Sequence, residues 1–174
     1  MQNNSFASRI LDISHIGDLC EQLRKSGSRI VFTNGCFDIL HLGHVEYLRQ
    51  SAELGDILVV GVNSDNSVQR LKGEGRPIVP EGERAALLAA LRSVDYVSIF
   101  DEDTPLNLIE AIRPDVLVKG GDYDPAALDG SRYIVGSDLV RSYGGEVKVI
   151  DLVEGRSTTN IVSAVLRAYG QVGE

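Results

Sequence analysis

Short apolar runs and stretches of helical periodicity alternate along this chain. The runs RIVF (29–32), DILVVGV (56–62), YVSIF (96–100), DVLVKG (115–120) and EVKVI (146–150) are bounded by turn residues and predict five strands. Between them, helical periodicity over 45–54, 64–71, 81–91, 105–112 and 137–143 predicts helices. The strands are nearly continuous in apolar residues, without in-and-out alternation, so both faces of the sheet should be covered. The expected fold class is α/β: a doubly wound, Rossmann-like parallel five-stranded sheet with helices on both faces. Ligands of such a sheet bind past the carboxyl ends of the strands, near the switch in strand order.

Two further segments flank this core. Over 10–26, Ile13, Ile16, Leu19 and Leu23 recur at spacings of three and four and predict a leading helix packed on the sheet. A closing helix is expected over about 158–168, with Ile161, Val165 and Leu166 as its buried side. Only the polar start, 1–8, is expected to be weakly ordered. With no internal repeat, linker or low-complexity stretch, residues 1–174 are expected to form one domain, with 1–27 as a leading helical segment.

Composition narrows the partners. Hydrophobic residues make up 43% and charged residues 24% of 174, an ordinary soluble balance that needs no disulfide or structural metal. Lys and Arg total 17 against 25 acids, a formal charge of -8, which disfavours nucleic acid and anionic membrane as partners. A small anion would need a locally cationic pocket with backbone N–H groups. Cys20 and Cys36 lack CxxC spacing and fit reduced thiols, so a cytoplasmic location is expected. Neither a signal peptide nor a membrane span is expected.

The first strand runs into TNGCFDILHLGH (33–44), where the composition changes sharply. Gly35 permits a tight turn, and Asn34 and Asp38 put polar groups at the strand's end. His41 and His44 are three apart, so a helix starting near Leu42 lets both imidazoles face one space above its N-terminus. Gly43 between them removes a side chain, leaving room for a phosphate to approach backbone N–H groups and the positive helix end. Histidines in isolation are usually ordinary surface or core residues, and His15 is read that way. Zinc would require a third ligand, which Asp38 alone does not supply, so no metal site is expected in the protein itself. Cys36 has no evident base beside it, which argues against covalent catalysis.

Two other segments carry chemistry. Lys72 is followed by Gly73 and Gly75, which allow a loop to move, and its compact ammonium suits oxygens that gain negative charge during phosphoryl transfer. Ser157, Thr158 and Thr159 precede an apolar helical run and are N-cap candidates whatever the function.

The segment TNGCFDILHLGHVEYL (33–48) resembles the signature of the HxGH nucleotidyltransferase superfamily, which includes the cytidylyltransferases, pantetheine-phosphate adenylyltransferase and the heptose-phosphate adenylyltransferases. VNSD (62–65), RLKGEGRP (70–77), RPDVLVKGGDY (113–123) and EGRSTTNIV (154–162) are together similar to the D-glycero-β-D-manno-heptose 1-phosphate adenylyltransferases, which occur as separate proteins or as the C-terminal half of a bifunctional kinase/adenylyltransferase. The likeness covers about 28–166, and the chain is expected to act as the stand-alone form.

The resemblance implies transfer of AMP from ATP to heptose 1-phosphate, giving ADP-heptose and pyrophosphate for lipopolysaccharide core synthesis, with Mg²⁺ carried on ATP. It implies that His41 and His44 contact the triphosphate and stabilise the transition state, and that Lys72 closes over the phosphates. Thr33, Asn34, Gly35, Cys36, Phe37, Gly43, Lys119, Gly120, Gly121 and Asp122 would line the nucleotide, and Ser157, Thr158 and Thr159 would bind the outgoing phosphates. Asp38, Asn63, Asp65 and Arg76 would serve the sugar phosphate; for Asn63 and Asp65 a plain helix cap is the other reading. A homo-oligomer is also implied.

Two departures stand out. A related cytidylyltransferase pattern has an arginine four residues before its serine, where this chain has Asp151, Leu152 and Val153 nearby. Arg156 stands directly before Ser157 in place of a small residue. The alternatives are a CTP:glycerol-3-phosphate type of transfer, ATP transfer to phosphopantetheine, or a nucleotide sensor without turnover. The presence of both histidines, Lys72 and the STT segment argues against the sensor.

Overall fold

A computed structural model describes residues 6–121, 123–151 and 155–170. Five strands, β1 (Ile30–Gly35), β2 (Ile57–Asn63), β3 (Tyr96–Phe100), β4 (Val116–Gly120) and β5 (Glu146–Ile150), form one sheet in the order β3-β2-β1-β4-β5. Every pairing is parallel. The order reverses between β1 and β4, so the carboxyl ends of those two strands form the switch point where a ligand crevice opens.

The helices α1 (Ile13–Lys25), α2 (Leu42–Ala52), α3 (Asp65–Lys72), α4 (Glu81–Ala89), α5 (Leu106–Ile112), α6 (Ser137–Ser142) and α7 (Thr158–Tyr169) connect or follow the strands. Neighbouring strand residues point to opposite faces, and both faces are buried, as the apolar runs require. Val31, Val60, Val116 and Val118 pack on one side with Leu48 of α2 and Leu88 of α4. Phe32, Val59 and Leu117 pack on the other with Ile16 of α1, Ile109 of α5 and Val140 of α6.

Differences from the sequence reading are local. β1 extends through Asn34 and Gly35, so the polar motif begins inside the strand. Part of the polar start lies outside the described residues, but Phe6–Arg9 forms a 3₁₀ turn and Ile10 makes a bridge to Val97. In α1, Ile16 and Cys20 are buried and Leu19 and Leu23 partly so, whereas Ile13 is exposed. The expected buried side of the closing helix is corrected: Ile161 is half-buried, but Val165 and Leu166 are 52% and 63% exposed. In α7, residues 161–163 are half-buried and 164–170 are exposed among the described residues. Its amphipathic pattern reports helix formation without stating what covers the apolar face.

Candidate active site

The carboxyl end of β1 delivers the motif into the crevice. Thr33 is buried and its Oγ1 lies 2.6 Å from the Tyr47 hydroxyl of α2, tying strand to helix. Phe37 adopts a left-handed φ of 47°, turning the chain sharply after Gly35 and Cys36. His41 then caps α2 in an extended conformation, with no side-chain bond to the helix, and its ring is left free for other use.

His41 and His44 stack with ring centroids 3.9 Å apart, and Phe37 meets His44 edge-on at 5.4 Å. A Cβ on Gly43 would stand 2.9 Å from His41 Cε1 and 3.2 Å from Arg156 Cβ, so the glycine makes room for that ring and that side chain. Burial pushes the His44 imidazole down to about 4, with His41 adding to the effect, and burial and then the Arg156 charge hold His41 below its ordinary value. Both rings are therefore neutral near pH 7. Their Nδ1 atoms are buried with no hydrogen-bond partner among the described residues, a costly arrangement that an incoming polar ligand would relieve.

α7 closes the opposite wall. Ser157 caps it by accepting from the Asn160 amide at 3.1 Å, so the capping expectation holds. Ser157, Thr158 and Arg156 line a cleft of about 260 Å³ with Asn34, His41, His44 and Gly120, which brings the HxGH turn, the end of β4 and the STT segment together. Thr159 lies in the same first turn but is exposed, and Gly121 follows β4 with a φ of 86°. Asp122 lies outside the described residues, as do Leu152 and Val153. His15 is remote from this cleft, on the surface beside Asp12 at 2.7 Å.

A second cavity of about 370 Å³ shares the wall Asn34–Gly35–Cys36 and extends towards β2, with Asn63, Lys72, Thr104, Lys119 and Tyr123 around it. Lys72 thus faces this cavity and does not line the histidine cleft. Cys36 borders both spaces, and burial raises its thiol, which keeps it protonated and a poor nucleophile.

Three residues expected to serve the acceptor are engaged elsewhere. Asp38, 2% exposed, accepts from Arg76 Nε at 2.5 Å and from the Ile78 and Val79 amides at 2.8 Å. It pins the far end of the loop after α3. Asp65 accepts from Arg84 at 2.7 Å, while its amide donates to Glu81 at 2.6 Å. Of the four, only Asn63 lines the second cavity, and it also donates to Ser67 at 3.0 Å.

Arg84 was not singled out from the sequence. It is 1% exposed and donates to the Val79 and Cys36 carbonyls at 2.9 and 2.5 Å as well as to Asp65, so it holds the motif turn against the loop. The signal was an arginine four residues before Leu88 on the apolar side of α4. Arg84→Met should cost about 2–4 kcal/mol, because two partly buried carbonyls lose their donor at roughly 1–3 kcal/mol each. Asp65 is 40% exposed and regains water. A urea midpoint that falls with an unchanged slope would agree; an unchanged midpoint would refute the role.

Comparison with known proteins defines the class. The model of the cytidylyltransferase-like family matches residues 32–163, so the chain belongs to that family of nucleotidyltransferases. Among its relatives, the bifunctional protein HldE of Geobacter metallireducens is 54% identical over 98% of this chain and 34% of its own length. The bifunctional protein HldE of Nitratiruptor sp. is 58% identical over 88% of this chain and 31% of its own. The chain therefore spans about a third of these relatives. A lipopolysaccharide core biosynthesis protein from Thermoplasma volcanium superposes with a TM-score of 0.58 at 33% identity, over 75% of this chain and all of its own. Pantoate-beta-alanine ligase from Francisella tularensis, at 14% identity and a TM-score of 0.59 over 89% of this chain and 76% of its own, shares the fold.

Proposed function

We propose that this chain transfers AMP from ATP to D-glycero-β-D-manno-heptose 1-phosphate, releasing pyrophosphate and forming ADP-heptose. The observation that carries the reading is the convergence of the stacked His41–His44 pair and the N-terminus of α7 on one cleft that adjoins a second, cation-bearing cavity. Two substrates can then meet at the wall between them. The heptose acceptor and a place in lipopolysaccharide core synthesis draw support from the HldE relatives and from the Thermoplasma protein.

An oxygen of the acceptor phosphate attacks the α-phosphorus in line, a new P–O–P bond forms, and the bond to the β-phosphate oxygen breaks. That phosphate is already anionic, so the site needs alignment and charge neutralisation more than a strong base. Neutral His41 and His44 donate hydrogen bonds to the reacting phosphate. Arg156 adds a fixed charge there, and α7 receives the departing pyrophosphate on the backbone N–H groups near Ser157 and Thr158. Arg156 lines the cleft, and its charge faces His41 there. Mg²⁺ bound with ATP would neutralise part of the triphosphate charge.

The test is pyrophosphate release with ATP or CTP as donor and heptose 1-phosphate or glycerol 3-phosphate as acceptor. ATP with heptose 1-phosphate should be preferred by at least ~10-fold over CTP, the scale of one buried polar group left unpaired against the wrong base. Preference for CTP or for glycerol 3-phosphate would overturn the substrate assignment and leave the HxGH chemistry in place. Nucleotide binding without turnover on either acceptor would favour a sensor.

A further inference from the structure

Lys119, at the end of β4, has an environment that its neighbours on that strand do not share. Its ammonium donates to Asn34 Oδ1 at 2.5 Å and lies 5.7 Å from the centroid of the Tyr123 ring. Among the described residues no carboxylate lies within ion-pair distance of it. Asp103, the acid bordering the same cavity, is paired with Arg70 at 2.6 Å. A cation held by an amide oxygen and a ring face is solvated on one side only, and no carboxylate among the described residues compensates its charge. Such a group favours an anion arriving from outside the protein.

Its position decides which anion. Gly120 lines the histidine cleft, whereas Lys119 lines the second cavity with Asn63, Lys72, Thr104, Tyr123 and Tyr133. Asn34, which holds the ammonium, borders both spaces. We propose that Lys119 binds the phosphate of the acceptor, held by Asn34 at the wall where that phosphate meets the α-phosphorus of the donor, and that the second cavity is the acceptor site. This replaces Asp38 and Arg76, which are tied up in the loop latch, and Asp65, which is paired with Arg84. It also moves Lys119 from the nucleotide to the acceptor. Tyr123 offers a ring face and a hydroxyl suited to a polyhydroxylated sugar, and Tyr133, whose hydroxyl donates to Asp138 at 3.1 Å, adds a second ring.

The inference rests on the reading that this chain joins a nucleotide to a phosphorylated acceptor, and its test separates the two. Lys119→Met and Lys119→Arg are compared with the wild type. Calorimetric titration with α,β-methylene ATP should give affinities within about threefold for all three proteins. With heptose 1-phosphate varied at saturating ATP, Lys119→Met should lower kcat/KM for the acceptor at least ~30-fold, the scale of a charged hydrogen bond, and Lys119→Arg should recover most of it. A tenfold loss of nucleotide affinity with unchanged acceptor kinetics would place Lys119 on the donor side and overturn the proposal.

A pH profile gives a second readout. Burial lowers the ammonium to about 8, with Cys36 acting weakly the other way. The groups facing it are Cys36 after β1, Lys72 at the end of α3, Asp103 before α5, and Tyr123 and Tyr133 after β4. The charged form that binds phosphate exists below about pH 8 in the free protein, so wild-type kcat/KM for the acceptor should fall above that pH. Lys119→Arg should stay level there, and a shared fall would count against Lys119 as its source. If wild type uses no heptose 1-phosphate, the proposed function fails, and Lys119 is tested by ³¹P titration of inorganic phosphate against the nucleotide-loaded protein. Tenfold weaker binding in Lys119→Met would sustain the proposal, and equal binding would overturn it.

Discussion

Replacing His44 by alanine should lower turnover at least ~100-fold while the protein stays folded. The size follows from what the ring is positioned to do. A donor fixed in a water-poor crevice contributes about 3 kcal/mol to a transition state that gains charge, because no reorganisation is needed as the charge grows. The stack on His41 and the edge of Phe37 fix the ring, and no hydrogen bond of the fold depends on it among the described residues. His44→Asn should recover part of the activity by restoring a donor.

The protonation state adds a further check. With the imidazole held near 4, the working form is neutral, so activity should be level from about pH 6 to 7.5 and fall only as the solution becomes acidic enough to protonate it. The unfolded chain binds that proton near the ordinary value of 6.5 and the folded chain near 4. Stability from this group is therefore present above pH 6.5 and declines as pH falls towards 4. A rate profile with an inflection near 6.5 that vanishes in His44→Ala would mean the imidazolium is the working form. A variant with most of the wild-type activity would remove His44 from the mechanism.

The cations around the crevice are Lys72 and Lys119, both expected from the sequence, together with Arg156, which the sequence showed only as a departure from the family pattern. The net charge of -8 called for local cations, but histidines three apart at the start of a helix titrate downward when buried against each other. Positive charge comes from Arg156, Lys72 and Lys119, one beside the histidine cleft and two beside the second cavity. The succession of strands and helices along the chain was legible because apolar periodicity and turn chemistry act locally, whereas the order of the strands in the sheet was not. The fate of Asp38, Asp65 and Arg76 was not legible, since their partners lie 16 to 41 residues away in sequence. A polar residue at a strand end looks the same in sequence whether it meets a ligand or closes a loop. The apolar side of α7 failed for a related reason: periodicity shows that one face differs, and only the tertiary structure shows whether anything rests on it.

Lys72→Ala should reduce turnover about 100-fold or more and change nucleotide affinity by less than about fivefold, the pattern of a group that acts after binding. Lys72 ends α3 on the rim of the second cavity, with no ion-pair partner among the described residues. Gly73 and Gly75 follow with φ values of 89° and 85°, and a Cβ at either would meet nothing within 4 Å. Beyond them, Asp38 holds Arg76 and the Ile78 and Val79 amides in place. The loop is thus anchored at its far end and joined to the lysine through two glycines whose backbone conformations resist any side chain. Rotation about that short segment would bring the ammonium from the acceptor cavity towards the phosphates once both substrates are bound. Single-turnover and steady-state rates for Lys72→Ala and Lys72→Arg, set beside calorimetric affinity for α,β-methylene ATP, measure this directly. Gly73→Ala, strained at its positive φ, should slow turnover in the same direction but less. An unchanged kcat with only a raised KM for ATP would make Lys72 a ground-state binding residue and sink the closure.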